Sequence, residues 1–128
     1  MRHWALALVV VAGLLGAAGV SAAAAAAHIS ATAGMNAIAQ VGMVHGAALI
    51  GMAAFAQRLS RPLLALVAAT AVALGAGLFC GELALRGYAG LSLFPMAAPI
   101  AGTMIIIGWL LVAVAAVKEL FVRNPTGN

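Results

Sequence analysis

A histidine in the middle of a long apolar segment is the residue best placed to do chemistry in this chain. His45 lies about ten residues into the apolar run 36–56, a depth close to the midplane of a bilayer. An ionisable group there is costly and usually faces protein. Its imidazole suits a proton relay or a ligand contact, or else a neutral hydrogen bond between helices. We favour the packing role, because no second ionisable residue lies clearly at its depth.

Metal or haem binding would need a second ligand at the level of His45. The other internal histidine, His28, ends the first apolar segment, and His45 would lie about 13 Å deeper along its own helix. No cluster of cysteine, histidine and carboxylate residues has the spacing of a metal site. We therefore expect neither a metal nor another cofactor.

The remaining reactive side chains gather near the end of the third apolar segment. Glu82 and Arg86 are four residues apart, which predicts an interfacial ion pair on one helix face. The functional alternative, a coupling carboxylate as in small proton-driven exporters, would place the acid deeper. Cys80 is the only cysteine and has no neighbouring base. The chain has no aspartate for a Ser-His-Asp arrangement, so we expect no catalytic residue.

The elements that must position these residues are apolar helices in a membrane. Of the 128 residues, 66% are hydrophobic and 6% are charged, too few charges to cover a soluble surface. The net charge of +4 comes without a basic stripe or interleaved aromatic residues, which argues against nucleic acid as a partner. Four runs have about the 20 residues that a spanning helix needs. They are residues 4–27, 36–56, 63–83 and 97–117. The predicted fold is an all-α, membrane-spanning four-helix bundle in one domain, residues 1–128.

Basic residues predict how this bundle is oriented. With four spans, five of them fall on one side and only Arg86 on the other. The five are Arg2, Arg58, Arg61, Lys118 and Arg123. The positive-inside rule then predicts that both termini lie in the cytoplasm. The alternative is a signal peptide cleaved near Ala23, but the first run is longer than a usual signal core.

The segments between the spans contain helix-capping and helix-breaking residues. Ser60 is predicted to cap the third helix, which Pro62 can begin. The glycines and the proline of segment 86–95 predict an irregular loop.

Small residues at helical spacing predict where the helices touch. In lipid, association depends on close packing rather than on the hydrophobic effect. The glycines expected at helix contacts are Gly16, Gly42, Gly46, Gly77, Gly81 and Gly108. The same faces suit a homo-oligomer.

Four short runs, one in each span, carry a family resemblance, and the clearest is APIAGTMIIIGW, residues 98–109, with Pro99 and Ile100 near its start and Gly108 and Trp109 at its end. This run is similar to the Pro-Ile-Gly-Gly opening and Gly-Trp pair in the last helix of domain-of-unknown-function family 423, small bacterial membrane proteins related to transmembrane protein 256 of eukaryotes. LFCGELAL, residues 78–85, resembles the end of its third helix. AAH, ending at His28, and VHGAAL, residues 44–49, resemble parts of its first and second helices.

The order of these runs matches the order of the family's helices, and it implies a retained first helix. Cys80 and Glu82 stand where the family has two serines, and Gly42 stands where it tends to have a glutamine. Because the family has no settled activity, the resemblance implies an architecture and not a reaction.

Three classes of function then remain open. The first is a structural or accessory membrane protein without catalysis of its own, which would partner the lipid bilayer and a homo-oligomer or larger membrane complex. The second is a small transporter or channel component that uses His45 in the bundle interior. A membrane enzyme ranks last, because a nucleophile, an acid–base pair and a metal cluster are missing from the sequence.

Overall fold

Apolar helices account for almost all of the chain that can be described. The computed structural model describes residues 1–29 and 34–124. These form four α-helices: α1 Arg2–His28, α2 Met35–Ala56, α3 Leu63–Ala89 and α4 Ala97–Arg123. Each helix is long and apolar enough to cross a membrane. The predicted fold class is confirmed, and the four helices give the chain the architecture of an integral membrane protein.

Two helices run further than the predicted spans. α3 continues past Leu83 to Ala89, so the first four residues of segment 86–95 are helical rather than irregular. The helix ends where Gly90 adopts the left-handed conformation, with φ of 65°, which a glycine takes at little cost. α4 likewise continues past Val117 to Arg123. The added part of α3 contains Arg86, which pairs with Glu82, and the added part of α4 contains both Glu119 and Arg123. Pairs of this spacing stabilise a helix.

α3 is the central helix of the bundle. It packs against α2 and α4 and, less extensively, against α1, while α1 packs mainly on α2. Half of the most apolar stretch of α3 is buried inside the chain (50%), against 17% for α4. α4 is therefore the most lipid-accessible helix and depends on α3 and on a few polar contacts for its place.

The interior consists mainly of small residues with a few larger side chains. Leu49, Leu66 and Val72 are fully buried, and most of the other core positions are alanines. Such an interior brings backbones close together, which is the usual way helices associate in lipid.

Glycines make the closest approach between α1 and α2. A Cβ added at Gly42 would lie 2.8 Å from the Leu15 carbonyl oxygen, and one at Gly46 would lie 2.9 Å from the backbone nitrogen of Gly16. Gly19 lies just as close to α2, since a Cβ added there would lie 2.6 Å from the backbone nitrogen of Met43. The two helices can touch at this depth only because these positions carry no side chain.

The close approach between α3 and α4 uses a different glycine of α3 from those predicted. Gly108 of α4 packs on Val72, but its partner helix contributes Gly75, where an added Cβ would lie 2.8 Å from the Ala101 carbonyl oxygen. Gly77 and Gly81, the glycines predicted for α3, are not where α3 and α4 approach most closely. A Cβ added at Gly77 would meet nothing within 4 Å, and one at Gly81 would meet a methyl group of Leu93 at 4.0 Å.

Candidate functional site

His45, midway along α2, contacts Trp109 of α4, whose side chain is 43% exposed at the surface of the bundle. Its Nε2 lies 3.4 Å from the indole nitrogen of Trp109, and the two rings meet edge to face at 6.3 Å between centroids. Its Nδ1 lies 2.9 Å from the Val41 carbonyl oxygen, one turn earlier in α2. An indole N–H can only donate, so Nε2 accepts and Nδ1 carries the proton. Both ring nitrogens of His45 therefore have a polar partner within the chain.

A second tryptophan makes a similar contact between distant helices. The Trp4 indole N–H donates to the Thr70 hydroxyl at 2.8 Å, and that hydroxyl donates to the Leu66 carbonyl oxygen at 2.8 Å. Trp4 thereby connects the start of α1 to α3, just as Trp109 connects α4 to α2. Both contacts join helices that have little other surface in common.

Glu82 is the centre of a polar cluster at the C-terminal end of α3. Its carboxylate is fully buried and accepts hydrogen bonds from Arg86, from the Ser92 hydroxyl at 2.6 Å and from the Leu93 backbone N–H at 2.7 Å. The Glu82–Arg86 pair forms, but its carboxylate is covered by the α3–α4 connection rather than lying exposed at an interface. We call Glu82, Arg86, Ser92 and Leu93 the Glu82 cluster.

Glu119 forms a matching cluster at the opposite end of the α3–α4 hairpin. Its Oε1 accepts from the Ser60 hydroxyl at 2.6 Å, from the Ser60 backbone N–H at 3.1 Å and from Arg123 at 2.9 Å. Arg123 also donates to the Arg58 carbonyl oxygen at 2.9 Å. We call Glu119, Arg123, Ser60 and Arg58 the Glu119 cluster. It fastens the end of α4 to the connection between α2 and α3.

The Glu119 cluster was not anticipated, and it corrects the role predicted for Ser60. No side chain caps α3, whose first residue follows Pro62, and the Ser60 hydroxyl is turned to Glu119 instead. The sequence did contain a signal. The chain has two acidic residues, and each begins the pattern Glu-Leu-x-x-Arg, at residues 82–86 and 119–123.

Gly77, Cys80 and Gly81 line a groove beside α3. The groove has a volume of about 560 Å³ and is lined by residues of α1 and α3, together with Met35 and Ile38 of α2. Its lining is mainly small and apolar and includes Tyr88. The Cys80 thiol lies 3.9 Å from the Ile38 carbonyl oxygen, as expected of a cysteine that packs as a small apolar residue.

The predicted candidate residues are not brought together into one site. His28 ends α1, whereas His45 lies at mid-height in α2, bonded to Trp109. Among residues 1–29 and 34–124, no three histidine, cysteine, aspartate or glutamate side chains are grouped as a metal ion would require. The Glu82 cluster and His45 likewise belong to different parts of the bundle, since Glu82 contacts the α3–α4 connection.

Comparison with models of known protein families, with curated proteins and with solved structures finds no match for this chain.

Proposed function

We propose that this chain is a structural or accessory membrane protein that has no catalysis of its own and works as part of a larger assembly or a homo-oligomer. The observation that carries the proposal is the commitment of both carboxylates and of His45 to internal contacts. Both carboxylates accept three or more hydrogen bonds from the chain itself, and each holds an interhelical connection in place. Groups used in this way are poorly available to a substrate.

His45 supports the same proposal. Protonating its Nε2 would place a donor against the Trp109 indole N–H, which is also a donor, and the contact would be lost. A proton relay has to pass through that charged form. The geometry therefore favours packing between α2 and α4 over proton transfer.

The setting proposed for the protein is the bacterial cytoplasmic membrane, with both termini in the cytoplasm. Five basic residues on the side of the termini support this orientation. Membership of domain-of-unknown-function family 423 is part of the proposal, supported by the ordered motifs of the four helices.

The test is affinity purification of the full tagged chain from its own membrane in a mild detergent, followed by mass spectrometry and a measurement of assembly mass. A partner in fixed ratio, or a defined homo-oligomer, is the expected result. His45→Ala is expected to lower the folded yield, because it removes the contact with Trp109.

A transporter would give the opposite pattern. The chain would purify as a lone monomer, and proteoliposomes would carry a flux that His45→Ala abolishes while the folded yield stays unchanged. Thr103→Ala is the matched control, because the Thr103 hydroxyl bonds only to the carbonyl oxygen of Pro99 in its own helix.

A further inference from the structure

A second cavity lies where the start of α3 meets the end of α4. Its volume is about 420 Å³. Two basic residues line it, Arg61 just before α3 and Lys118 in the last turns of α4. The rest of the wall is largely apolar and includes Leu64, Phe121 and Val122. The cavity thus combines cations with an apolar surface at one end of the bundle.

The charge around this cavity is positive. Arg123 lies at the same end and is bonded to Glu119, so basic side chains outnumber the one carboxylate beside the cavity. Glu119 itself lines the cavity, but its oxygens already accept from Ser60 and Arg123. Arg61 and Lys118 are exposed and make no ion pair with any residue in 1–29 or 34–124.

The first turn of α3 adds to this field. Pro62 is the N-cap residue and the helix has no side-chain cap there, and the cavity is lined by Arg61, just before it, and by Leu64 in the first turn. Unpaired N–H groups at a helix N-terminus favour an anion, and here they add to the two side-chain cations rather than acting alone.

The geometry points to a binding site for an anionic phospholipid, with its phosphate between Arg61 and Lys118 and its acyl chains along Leu64, Phe121 and Val122. A lipid is the occupant that matches both parts of the cavity, because a free phosphate would leave the apolar wall uncovered. The cavity also lies at the ends of apolar helices, where the headgroups of a bilayer lie. Basic pockets between membrane helices are a recognised mode of anionic lipid binding. Lipid binding at this cavity is independent of which partner the protein has.

The test is native mass spectrometry of the purified full chain, titrated with dioleoyl phosphatidylglycerol and, separately, with dioleoyl phosphatidylcholine. We expect tighter binding of phosphatidylglycerol. Arg61→Gln and Lys118→Gln should each reduce that preference about fivefold, and the double variant should remove most of it, since one basic residue near a membrane surface contributes about that factor. Lys118→Arg should keep the preference.

Arg58→Gln is the matched control, because it removes one charge from the same connection without removing a cavity-lining residue. Equal affinity for the two lipids would overturn the site. So would a loss in Arg58→Gln as large as in the double variant, which would indicate a diffuse surface charge. Soluble glycerol phosphate that displaces the lipid at equal concentration would overturn the lipid as occupant. The thermal unfolding temperature of each variant, compared with that of the unchanged chain, shows that the lipid affinities are measured on folded protein.

Discussion

Glu82 and Glu119 lie at opposite ends of the α3–α4 hairpin. They accept hydrogen bonds from the same kinds of donor, but the donors lie at very different distances along the chain. Each carboxylate accepts from a serine hydroxyl, from a backbone N–H of a connection and from an arginine four residues later. Glu82 holds the connection that directly follows its own helix, ten or eleven residues away. Glu119 holds a connection 59 residues away, between two other helices. The first fixes a local loop, and the second fixes the position of a helix.

The two carboxylates also differ in how their oxygens are used. At Glu82 the donors are divided, because Arg86 and the Ser92 hydroxyl bond to Oε1 while the Leu93 N–H bonds to Oε2. At Glu119 every donor reaches Oε1, and Oε2 only shares the Ser60 N–H at 3.2 Å. The Glu82 cluster therefore depends on both carboxylate oxygens, and the Glu119 cluster depends chiefly on Oε1.

The α3–α4 connection has an additional demand. Met96, just before α4, has φ of 68°, a left-handed conformation that is costly for a residue with a side chain. The described residues of the α2–α3 connection contain no such backbone. A fully buried carboxylate at the end that holds the strained loop suggests that Glu82 has the larger structural task.

The largest effect is expected for Glu82→Gln. Whichever way the new amide is turned, its NH2 group replaces an oxygen that accepts a hydrogen bond, and a donor then faces a donor. The new amide therefore loses a bond either to Leu93 or to Arg86 and Ser92. The backbone amides of the α3–α4 connection should then exchange their hydrogens about tenfold faster or more, which corresponds to the loss of a hydrogen bond to a charged group. Hydrogen-exchange mass spectrometry of the chain in detergent measures this exchange. The midpoint temperature of thermal unfolding should fall nearly as far as in Glu82→Ala.

Ser21→Ala is the control for Glu82→Gln, because among the described residues the Ser21 hydroxyl bonds to the Ala17 carbonyl oxygen of its own helix and to no other group. Unchanged exchange throughout the α3–α4 connection in Glu82→Gln would mean that the divided oxygens are unimportant.

The next effect is a contrast within Glu119. Glu119→Ala should release the end of α4 and speed exchange of the Ser60 amide, because it removes all the acceptors of that cluster. Glu119→Gln should be clearly milder, since its remaining oxygen can take the place of Oε1, where the donors converge. Exchange at Ser60 and thermal unfolding measure both variants. Equal losses in Glu119→Gln and Glu119→Ala would contradict the difference between the two ends.

A smaller and equal effect is expected from the two serines. Ser92→Ala and Ser60→Ala each remove one hydroxyl bond of 2.6 Å to a carboxylate and leave its backbone donor in place. The free energy of unfolding should fall by about 1 kcal/mol in each case. Reversible unfolding in mixed detergent measures it. A loss in one variant more than double that in the other would show that the ends differ in strength as well as in reach.

Sequence reasoning was strongest where one local property decides the structure. Apolar runs of spanning length gave all four helices, and the four-residue spacing gave the contact between Glu82 and Arg86. Segment 86–89 was wrongly assigned to a loop because Gly87 resembles a helix breaker, whereas the neighbouring turn remains helical and Gly90 ends it.

The sequence was weakest where two helices determine a contact together. Gly75 and Gly77 of α3 are equally small, and only the rotation of α3 against α4 makes Gly75 the contact. Ser60 precedes a helix and suits a cap, so its use by Glu119 depends on the end of α4 arriving beside it. Long-range contacts of this kind leave no local pattern, although the repeated Glu-Leu-x-x-Arg motif indicated two related helix ends.

The smallest effects are expected from the arginines of that motif, and they compare the two ends most directly. Their side chains are more than half exposed, 55% for Arg86 and 63% for Arg123, so removing either leaves a carboxylate that keeps its serine and backbone donors. Arg123→Gln should lower thermal stability more than Arg86→Gln. Arg123 also bonds to the Arg58 carbonyl oxygen at 2.9 Å, whereas the second contact of Arg86, to Ser92, is 3.4 Å long.

Arg123→Lys separates charge from hydrogen bonding at this position. A lysine keeps the charge but lacks the fork that reaches Glu119 and the Arg58 carbonyl oxygen together, so we expect only partial recovery. Measuring the unfolding temperatures of the three arginine variants and the two serine variants under the same conditions allows their losses of stability to be compared directly. If Arg86→Gln is instead the more damaging, burial of the Glu82 carboxylate outweighs the number of bonds in deciding how firmly each end is held.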